Sequence, residues 1–120
     1  MEYELTIIDR PGYVYARITG PHRADTTLGA LRDAYAECVK RRCEQMLLEM
    51  ATVGPTLGPS RIFGVLKDRL DDALKLRKIA YVDTGGREGR LFVENFARNR
   101  GVNIRAFDTI EDADRWLTQA

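Results

Sequence analysis

The chain is poor in the side chains that most often carry chemistry. It holds one histidine, His22, and two cysteines, Cys38 and Cys43. A zinc site takes three or four ligands, and these residues alone cannot assemble one. The two cysteines fall in one expected helix, five apart, which sets them roughly 140° apart around its axis. That spacing excludes an intrahelical disulfide and matches neither a C-x-x-C redox pair nor a metal clip. They read as buried or half-buried thiols. A charge excess is missing too: 19 Lys and Arg stand against 18 Asp and Glu, a net charge of +1. Such a balance gives no field for steering nucleic acid. With 44% hydrophobic residues, it also excludes intrinsic disorder. No apolar run approaches the roughly 18–20 residues of a membrane span. The opening Met1-Glu2-Tyr3-Glu4 lacks the basic segment and apolar core of a signal peptide, so the cytoplasm is the expected compartment. Repeats and low-complexity tracts are absent, and one domain over residues 1–120 is expected.

What is present is a clear change of period along the chain. Tyr3 to Asp9 alternates, with Leu5 and Ile7 on one face and Glu4, Thr6 and Ile8 on the other. Arg10-Pro11-Gly12 breaks the run. Tyr13 to Thr19 then alternates again, with Val14, Ala16 and Ile18 against Tyr15, Arg17 and Thr19. Two such runs across a Pro-Gly turn predict an antiparallel hairpin, ended by Gly20-Pro21. Leu28, Leu31, Tyr35 and Cys38 follow at helical steps, with Val39 beside them and Asp25 placed as N-cap. Gln45 to Met50 is an apolar run that suits a strand covered on both faces. Ala51 to Pro59 reads as a loop. Ile62, Leu66, Leu70 and Leu74 predict a second helix. Lys78 to Asp83 is another apolar strand. Arg87 to Arg100, with Leu91, Phe92, Phe96 and Ala97 on one stripe, predicts a helix stopped by Gly101. Val102 to Phe107 alternates, and Thr109 caps a last helix bearing Ile110, Ala113, Trp116 and Leu117.

The order is ββαβαβαβα. It predicts an α/β fold with a mostly parallel five-stranded sheet, right-handed crossovers and an antiparallel N-terminal edge strand. The first, second and fifth strands are polar on one face and the middle two are not. One sheet face is therefore expected to be partly open near its edges or to meet a partner there. Glu4, Thr6, Asn103 and Arg105 are suitable for blunting the edges.

Ligands of open α/β sheets bind outside the carboxyl ends of the strands. That rim gathers His22, Thr52, Thr56, Ser60, Asp83 and Arg87. Thr52, Thr56 and Ser60 set hydroxyls next to Phe63 at a helix start, a place suited to a phosphoryl group or a carboxylate-headed lipid; plain N-capping is the alternative use of the hydroxyls. Gly85 and Gly86 before a helix offer backbone amides to an anion, with Arg87 assisting, or form an ordinary turn. They match neither the dinucleotide fingerprint nor the P-loop, and no cofactor is expected. A hydrolytic set would combine Ser60, His22 and Asp83, but Ser60 lacks the G-x-S-x-G elbow.

The element order, the loop before the second helix, and the stretch Phe96-Ala-Arg-Asn-Arg-Gly-Val-Asn-Ile-Arg-Ala-Phe107 with Ile110, Ala113 and Trp116-Leu117 resemble the bacterial STAS-like family. The likeness is to its small stand-alone branch with the SpoIIAA-like fold, and it spans essentially the whole chain. It implies a right-handed β/α superhelix with an added N-terminal strand. It also implies a non-enzymatic module that binds a protein partner or a small lipid-like or anionic ligand. In switching members of the family, a partner kinase phosphorylates a serine at the helix start after the third strand. Ser60 falls near that position, although Gly58-Pro59 replaces the Asp-Ser context. A homodimer through the open sheet face or a helix is the remaining expectation, and the hydrolase of Ser60 and His22 the reading from another class.

Overall fold

Alternation in the first strands sets one edge of the sheet. In the computed structural model, β1 (Glu4–Arg10) and β2 (Tyr13–Pro21) pair antiparallel across Pro11-Gly12. Gly12 has a φ of 87°, the left-handed conformation that a type II turn requires after proline. The structure describes residues 3–21, 24–53, 64, 67, 71, 74–83 and 87–119. The further elements are α1 (Ala24–Lys40), β3 (Gln45–Val53), β4 (Lys78–Asp83), α2 (Arg87–Arg98), β5 (Ile104–Phe107) and α3 (Ile110–Leu117). Spatial strand order follows the sequence, β1 to β5, and every pair after the first is parallel. Gly64, Lys67 and Asp71 are helical, Leu74 of the expected second helix stands instead in a turn and is 48% exposed, and the other residues expected there lie outside the described residues.

The two sheet faces carry separate cores. On one, Val14, Ala16 and Ile18 of β2, Met46, Leu48 and Met50 of β3, and Ile79 and Ile104 pack under α1 and α2. Ala30, Ala34 and Cys38 of α1 are fully buried at four-residue steps, so small side chains bring the helix close to the strands. On the other face, α3 lays Ala113 and Leu117 over Leu47, Ala80 and Val82.

Several boundaries and orientations differ from the sequence reading. β2 and β3 run on to Pro21 and Val53, with Gly20 opposite Thr52, so Ala51 to Val53 are strand and not loop. Backbone pairing extends them where side-chain pattern gives no signal. Pro21 is tolerated because odd-numbered residues of β2 turn their N–H groups toward β1, and β1 begins only at Glu4, opposite Thr19. Asp25 stands inside the first turn of α1, one residue past its start. Val39 is 62% exposed and Leu91 43% exposed, while Val93 takes the core position of α2. Val39 lies just beyond the buried arc of α1, whereas Leu91, about 160° around the axis from Val93, lies on the face of α2 turned away from the sheet.

The helix ends explain two further positions. α1 stops before Cys43, so the two cysteines do not share a helix. The Cys43 N–H donates to the Cys38 carbonyl at 2.9 Å and the Arg42 N–H to that of Val39 at 3.1 Å. This is a Schellman stop, and it places Arg42 at a φ of 54°. Burial pushes the Cys38 thiol up to about 12, while Cys43 is half-buried. Gly101, with a φ of 83°, ends α2 in the same way through Val102 and Ala97, as the sequence predicts. Thr109 caps α3, its hydroxyl accepting from the Asp112 N–H at 3.2 Å.

Candidate functional site

The four parallel strands direct their carboxyl ends to one rim, the one expected to bind ligands, where Pro21 and Val53 project beyond Asp83 and Phe107. Thr52 is placed on β3 opposite Gly20, and Arg87 is the first residue of α2. The side chains of both lie outside what is described. Thr56, Ser60, Phe63, Gly85, Gly86 and His22 also lie outside the described residues. The rim exists as a backbone arrangement.

Next to that rim, the described residues form an open half-face of the sheet. α3 crosses β3, β4 and β5, and the Tyr13 hydroxyl at the start of β2 donates to Asp114 at 2.5 Å. Phe107 and Trp116 close its flank, with ring centroids 5.6 Å apart. Beyond α3 the register sets Thr6 beside Arg17, Arg17 beside Glu49, and Ile8 beside Tyr15. Because side chains alternate, all of these project from one face. Thr6 and Arg17 are exposed, and Ile8 is 40% exposed.

The polar groups of this half-face are bound to one another. Tyr15 donates its hydroxyl to Glu49, and Arg17 Nε lies 3.4 Å from the same Glu49 Oε1. The Arg10 guanidinium sits 5.9 Å from the centre of the Tyr15 ring. Burial of the phenol, and then the Glu49 carboxylate that accepts from it, push Tyr15 up to about 12. At neutral pH Tyr15 therefore keeps its proton and acts as a donor, not as a nucleophile or base. The patch offers fixed charges, one satisfied hydroxyl and an exposed isoleucine, which suits recognition by complementarity.

Sequence reading anticipates the open face but not this network. Glu49 is the one acid in the run Gln45-Met-Leu-Leu-Glu-Met50, and that interruption is the available signal. Its partner depends on strand register, which a single sequence does not state. On the opposite side of the sheet, Arg32, Tyr35, Ala36, Val39, Lys75 and Leu76 line a shallow cavity of about 160 Å³. Among the described residues, no group of three or more His, Cys, Asp or Glu gathers as a metal site. No helix among them is long and apolar enough to cross a membrane.

Comparison with known proteins bears on the fold. No family model matches the sequence, and no curated protein does. Among solved structures, the chain is similar to an uncharacterised protein of the DUF3478 family, with a SpoIIAA-like fold, from Shewanella loihica. The TM-score is 0.57 at 13% identity, covering 97% of this chain and 93% of the other. With its antiparallel first strand and four parallel strands in sequence order, the chain has a SpoIIAA-like α/β fold.

Proposed function

We propose that this chain is a non-catalytic STAS-type module that docks a protein partner at the carboxyl rim of its sheet and on the open half-face beside it. The observation that carries this reading is the half-face itself. Arg17, Glu49 and Tyr15 hold one another in place on it, and Tyr15 keeps its proton. A prearranged polar patch with one exposed isoleucine favours binding over reaction, because little side-chain freedom is left to lose on association. The SpoIIAA-like fold supports the same reading through the family resemblance. A small apolar or anionic ligand at Thr52, Thr56, Ser60 and Phe63 is the other form of occupant for the rim. Phosphate on Ser60 would alter docking there by adding charge.

Site-specific photocrosslinking in the native host tests the proposal. A crosslinker at Thr6 or at Arg17 is expected to trap one common protein, and Arg17→Asp to abolish the Thr6 adduct. A crosslinker at Lys40, on the far end of α1, is expected to trap nothing in common with them. Adducts from Lys40 alone would overturn the reading. A small molecule retained in the native mass spectrum and lost on Thr52→Ala would replace the protein partner with a rim ligand.

A further inference from the structure

The outer edge of β1 is built to pair with itself. β1 is the first strand of the sheet, and among the described residues its far side pairs with nothing. The hairpin turn fixes which groups face outward. Across a two-residue turn, Arg10 and Tyr13 are the hydrogen-bonded pair, and such pairs alternate along the ladder. Glu4, Thr6, Ile8 and Arg10 therefore direct their backbone groups to β2. Leu5, Ile7 and Asp9 present their N–H and C=O groups at the edge.

Charge then selects a register. Glu4 and Arg10 stand at the two ends of β1, on the same face, with Ile7 midway between them. Both are exposed, and neither charged group has an ion-pair partner among the described residues. A second copy related by a two-fold axis at Ile7 sets Glu4 opposite the partner's Arg10 and Arg10 opposite the partner's Glu4. It also sets Thr6 against the partner's Ile8, covering the exposed isoleucine. These are the non-hydrogen-bonded pairs, where side chains approach most closely. Ile7 meets its own copy, and Leu5 meets the partner's Asp9. These carry the outward backbone groups, so about six hydrogen bonds join the strands. An axis at Thr6 or Ile8 shortens the overlap and breaks at least one Glu–Arg pair.

Among the described residues, the acids on the opposite side of the edge are already paired. Asp9 accepts from Arg41 at 2.5 Å, and Glu37 accepts from the same guanidinium at 3.0 Å. Asp33 accepts from Arg32 Nε at 3.2 Å as well as from the Tyr3 hydroxyl at 2.5 Å. We propose that two copies of this chain associate through antiparallel pairing of β1 about Ile7, joining their sheets into one continuous sheet with Glu4 facing Arg10 across the seam. The seam takes Thr6 and Ile8 from the half-face that the partner-docking reading also uses and leaves Tyr15, Arg17, Glu49 and the rim to it, and association of the purified chain tests the seam alone.

Charge exchange tests it, with sedimentation equilibrium as the readout. The chain is expected to dimerise as concentration rises. Glu4→Arg alone and Arg10→Glu alone each place like charges opposite one another, twice per dimer, and each is expected to weaken association about tenfold or more. In a mixed dimer of one copy of each variant, opposite charges face each other again at both pairs. Combining the two variants in equal amounts is therefore expected to restore association, as the mixed species. Both substitutions are on exposed side chains, and unchanged far-UV circular dichroism verifies folding. A wild-type chain that stays monomeric to about 1 mM overturns the proposal. So does a dimer whose strength neither variant changes, or single-variant weakening that mixing does not reverse.

Discussion

Replacing Gln45 with methionine is expected to destabilise the fold by about 2–5 kcal/mol. Gln45 begins β3, is 6% exposed, and ties three parts of the chain together. Its Nε2 donates to the Gly12 carbonyl at 2.8 Å and to the Leu117 carbonyl at 3.0 Å. Its Oε1 accepts from Arg77 Nη2 at 2.6 Å. The Leu117 bond is buried and sits at the C-terminus of α3, where carbonyls lack partners inside the helix. Leaving that carbonyl without a donor costs about 1–3 kcal/mol. The Gly12 and Arg77 bonds are partly open to water, and their loss adds about 0.5–1 kcal/mol each. Methionine keeps nearly the same volume, so no large cavity is added to the effect. For a domain of this size, the drop corresponds to roughly 8–20 °C in Tm.

Urea denaturation followed by Trp116 fluorescence provides the assay, since Trp116 is the single tryptophan and lies in α3. The midpoint should fall with the slope unchanged. Hydrogen exchange should accelerate first in α3, whose last carbonyls are held by Gln45 and by Lys78, the latter donating to the Trp116 carbonyl at 3.0 Å. A loss below about 0.5 kcal/mol would refute the reasoning, because the buried carbonyl would then have found another donor at almost no cost.

Arg42→Gly should stabilise the chain by about 0.5–1 kcal/mol, since Arg42 holds a φ of 54° in the helix stop and glycine adopts that conformation without strain. Thermal unfolding measures it, and a lower midpoint would contradict the Schellman assignment. Alkaline pH should destabilise the fold through Tyr13 and Tyr15, both pushed up to about 12 by burial and then by the acceptors Asp114 and Glu49. A raised folded-state value means that the contribution is whole below pH 10 and is lost as pH rises from 10 to 12. It amounts to about 1 kcal/mol per tyrosine once solvent screening near the surface is allowed for. Tyr13→Phe and Tyr15→Phe should each flatten that decline, read as denaturation midpoints across the pH range.

How far the sequence reaches depends on whether a property is periodic. Strict alternation at Leu5 and Ile7 and at Val14, Ala16 and Ile18 was enough to assign faces, and these residues do pack into the core. The helix stop at Gly101 and the cap at Thr109 were legible because each uses a residue suited to its backbone task. Val39 and Leu91 misled because apolar character alone does not say where a helix's buried arc ends. Arg42 gave no warning as a helix stop, because its left-handed conformation is imposed by chain direction and not by its side chain. The candidate site was legible only in part. The open face followed from one-sided polarity, while the hydroxyl set at Thr56, Ser60 and Phe63 lies outside the described residues.

The scarcity of histidine and cysteine, the charge balance and the changes of period are properties of the sequence. They determined a mostly parallel sheet with one antiparallel edge strand and one partly open face. Tertiary structure decided which side chains share that face. Tyr15 and Arg17 meet at Glu49, and Gln45 grips Gly12, Leu117 and Arg77, although the members of each pair are far apart along the chain. Such pairs form only after the strands have chosen their register, because a side chain's partner across a sheet is set by backbone pairing and not by anything in its own neighbourhood along the chain.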